Sequence, residues 1–270
     1  GWDRKTSGDP SGWTPRIKRA LRIEHPPTPF EMIRYMKGVR LDFAPGTRQV
    51  YSNFGFVLLG AVVARVCERD YPESAHQVTL QPMGIEGMRL DEPPPNYFEG
   101  EARRYMLPGE HALPGGNNRM VMAAGGWAAN CMQMAKLLTA IDGSRTGAPW
   151  LSPGLMQAMV TPAPGIQSQS PEHWMGLGWD QVERFPPASP GGPERFSWGK
   201  DGGLAGIETW IQHLAEGADF ALLFNSGVSH TGGQQGPLAV IRPKVIEFIR
   251  GVRAWPEGDL FAEVAGRTAQ

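Results

Sequence analysis

Apolar residues recur every three to four positions over much of the chain and, beyond about residue 172, at alternate positions, so helices are predicted first and strands last. In "TPFEMIRYMKGVRL" (28–41) Thr28 is a natural N-cap, Pro29 a first helical residue and Glu31 the acid of a capping box, which predicts a helix. From 54 to 66 apolar residues crowd every face, as in a helix buried on all sides, with Asn53 or Ser52 placed to cap it. Two more helices are predicted over 125–143, with Asn130 as cap and Gly143 near the end, and over 151–162, with Ser152 capping and Pro153 in the first turn. Residues 1–27 read as a loop with a short turn of helix, "FAPGT" (43–47) as a turn, and 91–125 as long irregular stretches.

The later pattern differs. "IETWIQHL" (207–214) alternates and "DFALLFNS" (219–226) is a short apolar run, and the "AEGA" between them predicts an antiparallel hairpin. "FSWGK" (196–200) reads as a third strand, turned by Asp201-Gly202-Gly203. In "RPKVIEFIRGV" (242–252) Val245, Ile246, Phe248, Ile249 and Val252 form one helical stripe, with Pro243 in the first turn. No internal repeat is visible. Helices followed by strands and a closing helix give an α+β fold class rather than a βαβ series.

Composition narrows the function classes. The 270 residues can bury a substantial core. A net charge of −1 gives no electrostatic case for nucleic acid or an anionic membrane. No run of 18 apolar residues predicts a membrane span. High Gly (35) and Pro (25) suggest long, well-defined loops, and nine Trp suggest large buried or pocket-lining aromatics. Cys67 and Cys131 cannot make a disulfide framework and read as ordinary core thiols. The six histidines stand in non-metal spacings, so neither a metal nor a cofactor is expected. The chain opens at Gly1 without Met or signal peptide, as expected of a polypeptide that begins upstream, and its compartment stays unassigned.

There is no G-x-S-x-G elbow, H-E-x-x-H pair or phosphate-binding loop. Three short strings stand out instead: Tyr51-Ser52-Asn53 at the mouth of an apolar helix, "GKDGGLAG" (199–206), and Ser197-Trp198-Gly199-Lys200, which spells S-x-x-K. "FAPGTRQVYSNFGFVLLGAVV" resembles the region around the Tyr-x-Asn motif of the serine β-lactamase-like superfamily. That group holds class C β-lactamases, D-alanyl-D-alanine carboxypeptidases and family VIII esterases. "LQPMGIEGMRL" (80–90), "GGWAANCMQMAKLLTAI", "MGLGW" (175–179), "ALLFNSG" (221–227) and "GWDRKTSGDP" are similar to further stretches of it, and "WGKDGGLAGIETW" to its Lys/His-Thr/Ser-Gly strand and the strand after. The resemblance covers essentially the whole chain. It implies one β-lactamase-like domain over 1–270, incomplete, with a mainly helical region at 28–165 and antiparallel strands with a C-terminal helix at 172–255.

The sequence departs from that pattern in three places. The family's nucleophile is the Ser of an S-x-x-K well upstream of Tyr-x-Asn, with Ser and Lys one helical turn apart so that the amine helps take the Ser proton. Here Ser7 is followed by Gly-Asp-Pro and Ser11 by Gly-Trp-Thr, and the literal match at Ser197 overlaps the strand motif. "SHTGG" (229–233) imitates His-Thr-Gly, but it follows the hairpin instead of preceding it. Asp201 replaces the usual hydroxyl residue, and an anion there would repel a substrate carboxylate, favouring neutral esters or amides.

The resemblance implies catalytic roles for Tyr51, as general base, and Lys200, which together with an absent Lys favours the phenolate. It implies substrate-binding roles for Asn53, through its amide NH₂, for Asp201, Gly202 and Gly203 of the strand motif, with the Gly203 N–H in the oxyanion hole, and for Trp198, with Trp210, lining the pocket. The alternatives are structural: a buried Tyr51 ring, Asn53 as a cap, Lys200 as a surface lysine, and Gly202 and Gly203 as turn residues. The expected function is acyl transfer on a small-molecule ester or amide, with the nucleophile absent and the chain by itself nearly inactive. A non-catalytic binding or scaffold protein is the alternative. Strands and stripes left without neighbours suggest a homo-oligomer or a complementing chain. An unrelated α+β protein would leave Tyr51 and Lys200 far apart.

Overall fold

A computed structural model describes residues 1–91, 99–106, 118–142, 150–166, 170–227 and 236–257. Gly143 and the "SHTGG" stretch lie outside the described residues.

The N-terminal region is more helical than its polar sequence suggests. Asp9 caps a 3-10 turn at Pro10–Gly12, and α1 (Thr14–Leu21) follows. Ile17 of α1 is fully buried, packed with Met32 and Met36 of α2 (Pro29–Met36) and Phe54 and Val57 of α3 (Asn53–Cys67). One narrow apolar stripe between basic residues is enough once neighbouring helices cover it. The capping box of α2 forms as its sequence predicts, with the Thr28 hydroxyl and Glu31 carboxylate serving each other's backbone N–H. The helix ends at Met36, before the 41 expected.

In α3, Ser52 is the cap: its Oγ accepts from Gly55 N at 3.0 Å. The expectation that α3 is buried on all sides does not hold. Phe54, Val57 and Gly60 face inward, whereas Leu58, Leu59, Val62, Val63 and Val66 lie open. After α3 come α4 (Tyr71–Ala75), a π turn at His76–Leu80, and a two-strand ladder of β1 (Arg89–Leu90) and β2 (Trp127–Ala128). Then α5 (Cys131–Asp142) starts late, because Asn130 and Gln133 form a reciprocal cap at its mouth (2.8 and 2.9 Å). Helix α6 (Pro153–Val160) is capped by Ser152. Cys131 is exposed and Cys67 partly so, so neither is a core thiol.

The strands form a five-stranded antiparallel meander in chain order: β3 (His173–Trp174), β4 (Gln181–Phe185), β5 (Arg195–Leu204), β6 (Ile207–His213) and β7 (Asp219–Phe224). The hairpin of β6 and β7 is the one read from the sequence, whereas β3 and β4 were not legible there. Strand β5 does not turn at Asp201-Gly202-Gly203; it pairs with β6 as far as Leu204↔Ile207, and the chain reverses at Ala205-Gly206, where Gly206 takes φ +71°. One sheet face carries Val182, Trp198 and Ile211 against Leu138 and Ile141 of α5 and Val160 of α6. On that face Asp142 of α5 meets His213 and Asp219; burial pushes the Asp219 carboxyl up to about 6, its hydrogen bond to His213 opposing and Asp142 adding to the rise.

The other face carries α7 (Pro237–Gly251), which begins six residues before Pro243 and so holds that proline inside the helix. Arg242 lies 4.0 Å above the Trp210 ring. No residue of α7 is buried. Among the described residues no helix is long and apolar enough to cross a membrane.

Candidate active site

Tyr51 directly precedes Ser52, the extended cap of α3, and Lys200 lies midway along β5. Lys200 Nζ lies 4.8 Å from the centroid of the Tyr51 ring, with Arg4 Cζ at 5.4 Å from it. Gln49 ties the Tyr51 loop to the sheet side, its Nε2 donating to Met175 O at 2.9 Å. The chain therefore does not leave Tyr51 and Lys200 apart, as an unrelated fold would.

On the helical wall three side chains form a relay. Asp9 Oδ1 is used by the 3-10 turn, accepting from Ser11 N (2.9 Å) and Ser11 Oγ (2.7 Å). Its Oδ2 accepts from Asn53 Nδ2 at 2.8 Å, and Asn53 Oδ1 accepts from the Tyr51 hydroxyl at 3.0 Å. A carboxylate only accepts, so Asp9 obliges Asn53 to present its NH₂; the amide oxygen then faces Tyr51, whose phenol must donate. One amide hydrogen of Asn53 is left beyond the Asp9 contact. Ser52 supplies the cap of α3, so the amide of Asn53 is not used as one.

On the sheet wall Lys200 Nζ donates to Asp180 Oδ2 at 2.5 Å, both side chains about a quarter exposed (26% and 25%). Asp180 is held in turn by its backbone N–H on Gly199 O at 3.1 Å. Asp9 and Asp180 were not anticipated. Asp9-Pro10 signals a turn cap at most, and nothing local marks Asp180 as the partner of a lysine on the next strand.

Strand alternation sorts the remaining candidates. Trp198 and Lys200 share a face, but Trp198 is buried between Trp179 (centroids 4.3 Å) and His213 (4.8 Å), so it belongs to the core and lines no open pocket. Trp210 is fully buried beneath Arg242 and lines none either. Asp201 turns to the α7 face, where Oδ2 accepts from Gln181 Nε2 (3.2 Å) and Arg242 (3.4 Å), so it presents no anion to the cleft. Burial raises its carboxyl, with Asp180 adding; Arg242 and Lys200 pull the other way. Ser197 is three residues from Lys200, which on a strand puts the two side chains on opposite faces. Its Oγ donates to His213 O at 2.8 Å and accepts from Gln212 Nε2 at 2.7 Å, so Ser197 is a buried structural hydroxyl and not a nucleophile.

Gly202 and Gly203 are strand residues opposite Thr209 and Glu208. Strand β4 pairs only with 195–199, so among the described residues no strand lies beside the outer half of β5, and it presents unpaired backbone groups next to Lys200.

The Beta-lactamase family model matches residues 6–244. Among the solved structures similar to it are a penicillin binding protein from Bacillus halodurans (17% identity, TM-score 0.62, 82% of this chain and 63% of that one), a D-amino acid amidase from Ochrobactrum anthropi SV3 (22%, 0.63, 84% and 64%), and a class C beta-lactamase (20%, 0.61, 84% and 64%). This chain thus spans a little under two thirds of each. At these identities the likeness is one of fold, whereas the match over 6–244 is one of sequence, and it shows that the chain belongs to the beta-lactamase family.

Proposed function

We propose that this chain is the greater part of a serine hydrolase that transfers an acyl group from an ester or amide to water, its nucleophilic serine coming from outside these 270 residues. The observation that carries this reading is the meeting of Tyr51 and Lys200, 4.8 Å apart, beside the open half of β5. The serine oxygen attacks the carbonyl carbon while its proton passes to Tyr51 Oη, which has first released to solvent the hydroxyl proton it gives to Asn53 Oδ1, and Tyr51 then returns the serine proton to the leaving alcohol or amine. Lys200 supplies the positive charge beside the Tyr51 ring, and the Gly203 N–H meets the charge developing on the carbonyl oxygen. Asn53 offers its remaining amide hydrogen to the substrate. Water then cleaves the acyl-enzyme by the same steps in reverse order.

Asp201 faces away from this cleft, so it does not select against an acidic substrate as its place in the sequence suggests. Asp180 takes over that effect: it already pairs with Lys200 and leaves the cation less free to hold a carboxylate, so neutral esters and amides fit better.

A second reading, a non-catalytic binding protein, is favoured by one observation: the polar groups of the cleft are satisfied among themselves, Tyr51 on Asn53, Asn53 on Asp9 and Lys200 on Asp180. Intact mass after incubation with a fluorophosphonate and, separately, a penicillin decides between them. The hydrolase reading expects no adduct on the 270 residues and one adduct on a version extended upstream to include an S-x-x-K, with Tyr51→Phe slowing that labelling about 100-fold. An adduct on the 270 residues alone would overturn the external nucleophile, and no adduct on either would favour binding without catalysis.

A further inference from the structure

Two carboxylates converge on one imidazole nitrogen at the end of the sheet away from the 205–206 turn. His213 closes β6 and Asp219 opens β7, and the two face each other across one rung. Asp142 arrives from the last position of α5. His213 Nδ1 lies 2.9 Å from Asp219 Oδ1 and 3.6 Å from Asp142 Oδ2, and the three donor atoms all lie within 4.8 Å of one another. The carboxylate side chains are each 7% exposed and the imidazole 17%.

We propose that Asp142, His213 and Asp219 form a binding site for one divalent transition-metal ion, Zn²⁺ by preference. A tetrahedral zinc with bonds of about 2.0–2.1 Å sets its ligand atoms about 3.4 Å apart. The two His213 distances of 2.9 and 3.6 Å bracket that edge, and the third, between the carboxylates, lies within 4.8 Å, so small side-chain shifts bring three ligands onto one ion. A proton on Nδ1 serves one carboxylate at a time; an ion at the same point bonds to all three groups at once. One imidazole with two carboxylates suits zinc better than magnesium or calcium, which prefer all-oxygen shells.

The groups are also held in place without an ion. Trp198 stacks on the His213 ring at 4.8 Å and 11°, which fixes its plane. Ser197 Oγ donates to His213 O at 2.8 Å, and Leu214 N to Ala218 O at 2.8 Å closes the hairpin that carries two of the ligands. The side chains at this site have therefore already lost most of their water and much of their freedom, the main costs of assembling a metal site. The ion would clip the end of α5 to the last hairpin. This reading is independent of the acyl-transfer proposal.

The test is calorimetric titration of the chelator-treated protein with ZnCl₂, together with its thermal unfolding. One Zn²⁺ per chain is expected, with the midpoint raised by about 5 °C at a hundredfold excess over Kd. Asp142→Asn and Asp219→Asn, which keep side-chain volume, should each weaken binding about 100-fold while far-UV circular dichroism stays that of the parent. To separate ligation from misfolding of a variant, Co²⁺ is titrated into the unaltered protein: a visible spectrum of nitrogen and oxygen ligation, without thiolate charge-transfer absorption, is expected. Absence of stoichiometric binding, binding that survives both Asn variants, or thiolate absorption from Cys67 or Cys131 would each overturn the proposal.

Discussion

A methyl group at Gly202 would lie 2.3 Å from Thr209 Oγ1 on the next strand. Thr209 is β-branched and stiff at χ1, so it cannot swing clear cheaply. Gly202→Ala should therefore cost about 1–3 kcal/mol in urea unfolding, and Thr209→Ala should recover most of the loss in the double variant. Asp201 makes a different prediction. Its carboxyl is raised chiefly by burial, so the folded chain holds that proton to higher pH than the unfolded chain. The associated stability is present below the unfolded value of about 4 and is lost as pH rises through the raised folded value. Asp201→Asn has no such proton to lose, and its unfolding midpoint should gain on the parent's as pH is raised from about 4 to 7. A constant difference across that range would mean that Arg242 and Lys200 balance burial, and a midpoint falling behind the parent's that they outweigh it.

At the scale of elements, what is local in the sequence forms as read and what depends on neighbours does not. Caps are local. Ser52, Thr28, Asn130 and Ser152 each accept from the backbone N–H three residues on, in the manner their residue types predict. Ser52→Ala should cost about 1 kcal/mol, seen as a lower urea midpoint, and should loosen the approach of Tyr51 and Asn53 to the cleft. Strand β5 shows the opposite case. Asp-Gly-Gly reads as a turn, yet seven rungs with β6 hold the chain extended through it, because pairing along a whole strand outweighs the turn preference of three residues. Helix α1 reads as no more than a short turn and strand β4 not at all, each needing a partner surface to make its few apolar residues count.

Among the described residues three surfaces of the molecule stand open. The outer face of α3 carries five exposed aliphatic side chains, α7 leaves Phe248 exposed and the rest of its stripe only half-buried, and β7 has no strand along its outer edge among the described residues beyond the bridge from Tyr105 to Ser226. Apolar faces and free strand edges of this kind promote association. Sedimentation should show self-association that grows with concentration, and Leu59→Glu with Val62→Glu should shift it toward monomer while changing stability by no more than about 0.5 kcal/mol each. A monomer at every concentration would count against this.

By itself the sequence determined the α+β class, the main helices with their caps, the terminal hairpin and, through Tyr51-Ser52-Asn53 and the strand of Lys200, both walls of the candidate site. These rest on periodicity, capping and short motifs, which act over a few residues and leave their mark in the order of the chain. The tertiary structure alone decided which face each candidate presents. It sent Asp201 and Ser197 to the α7 side, buried Trp198, brought Asp9 to Asn53 and Asp180 to Lys200, and gathered Asp142, His213 and Asp219. Those outcomes depend on strand register and on packing between distant segments, and a one-residue change of register reverses every side chain of a strand.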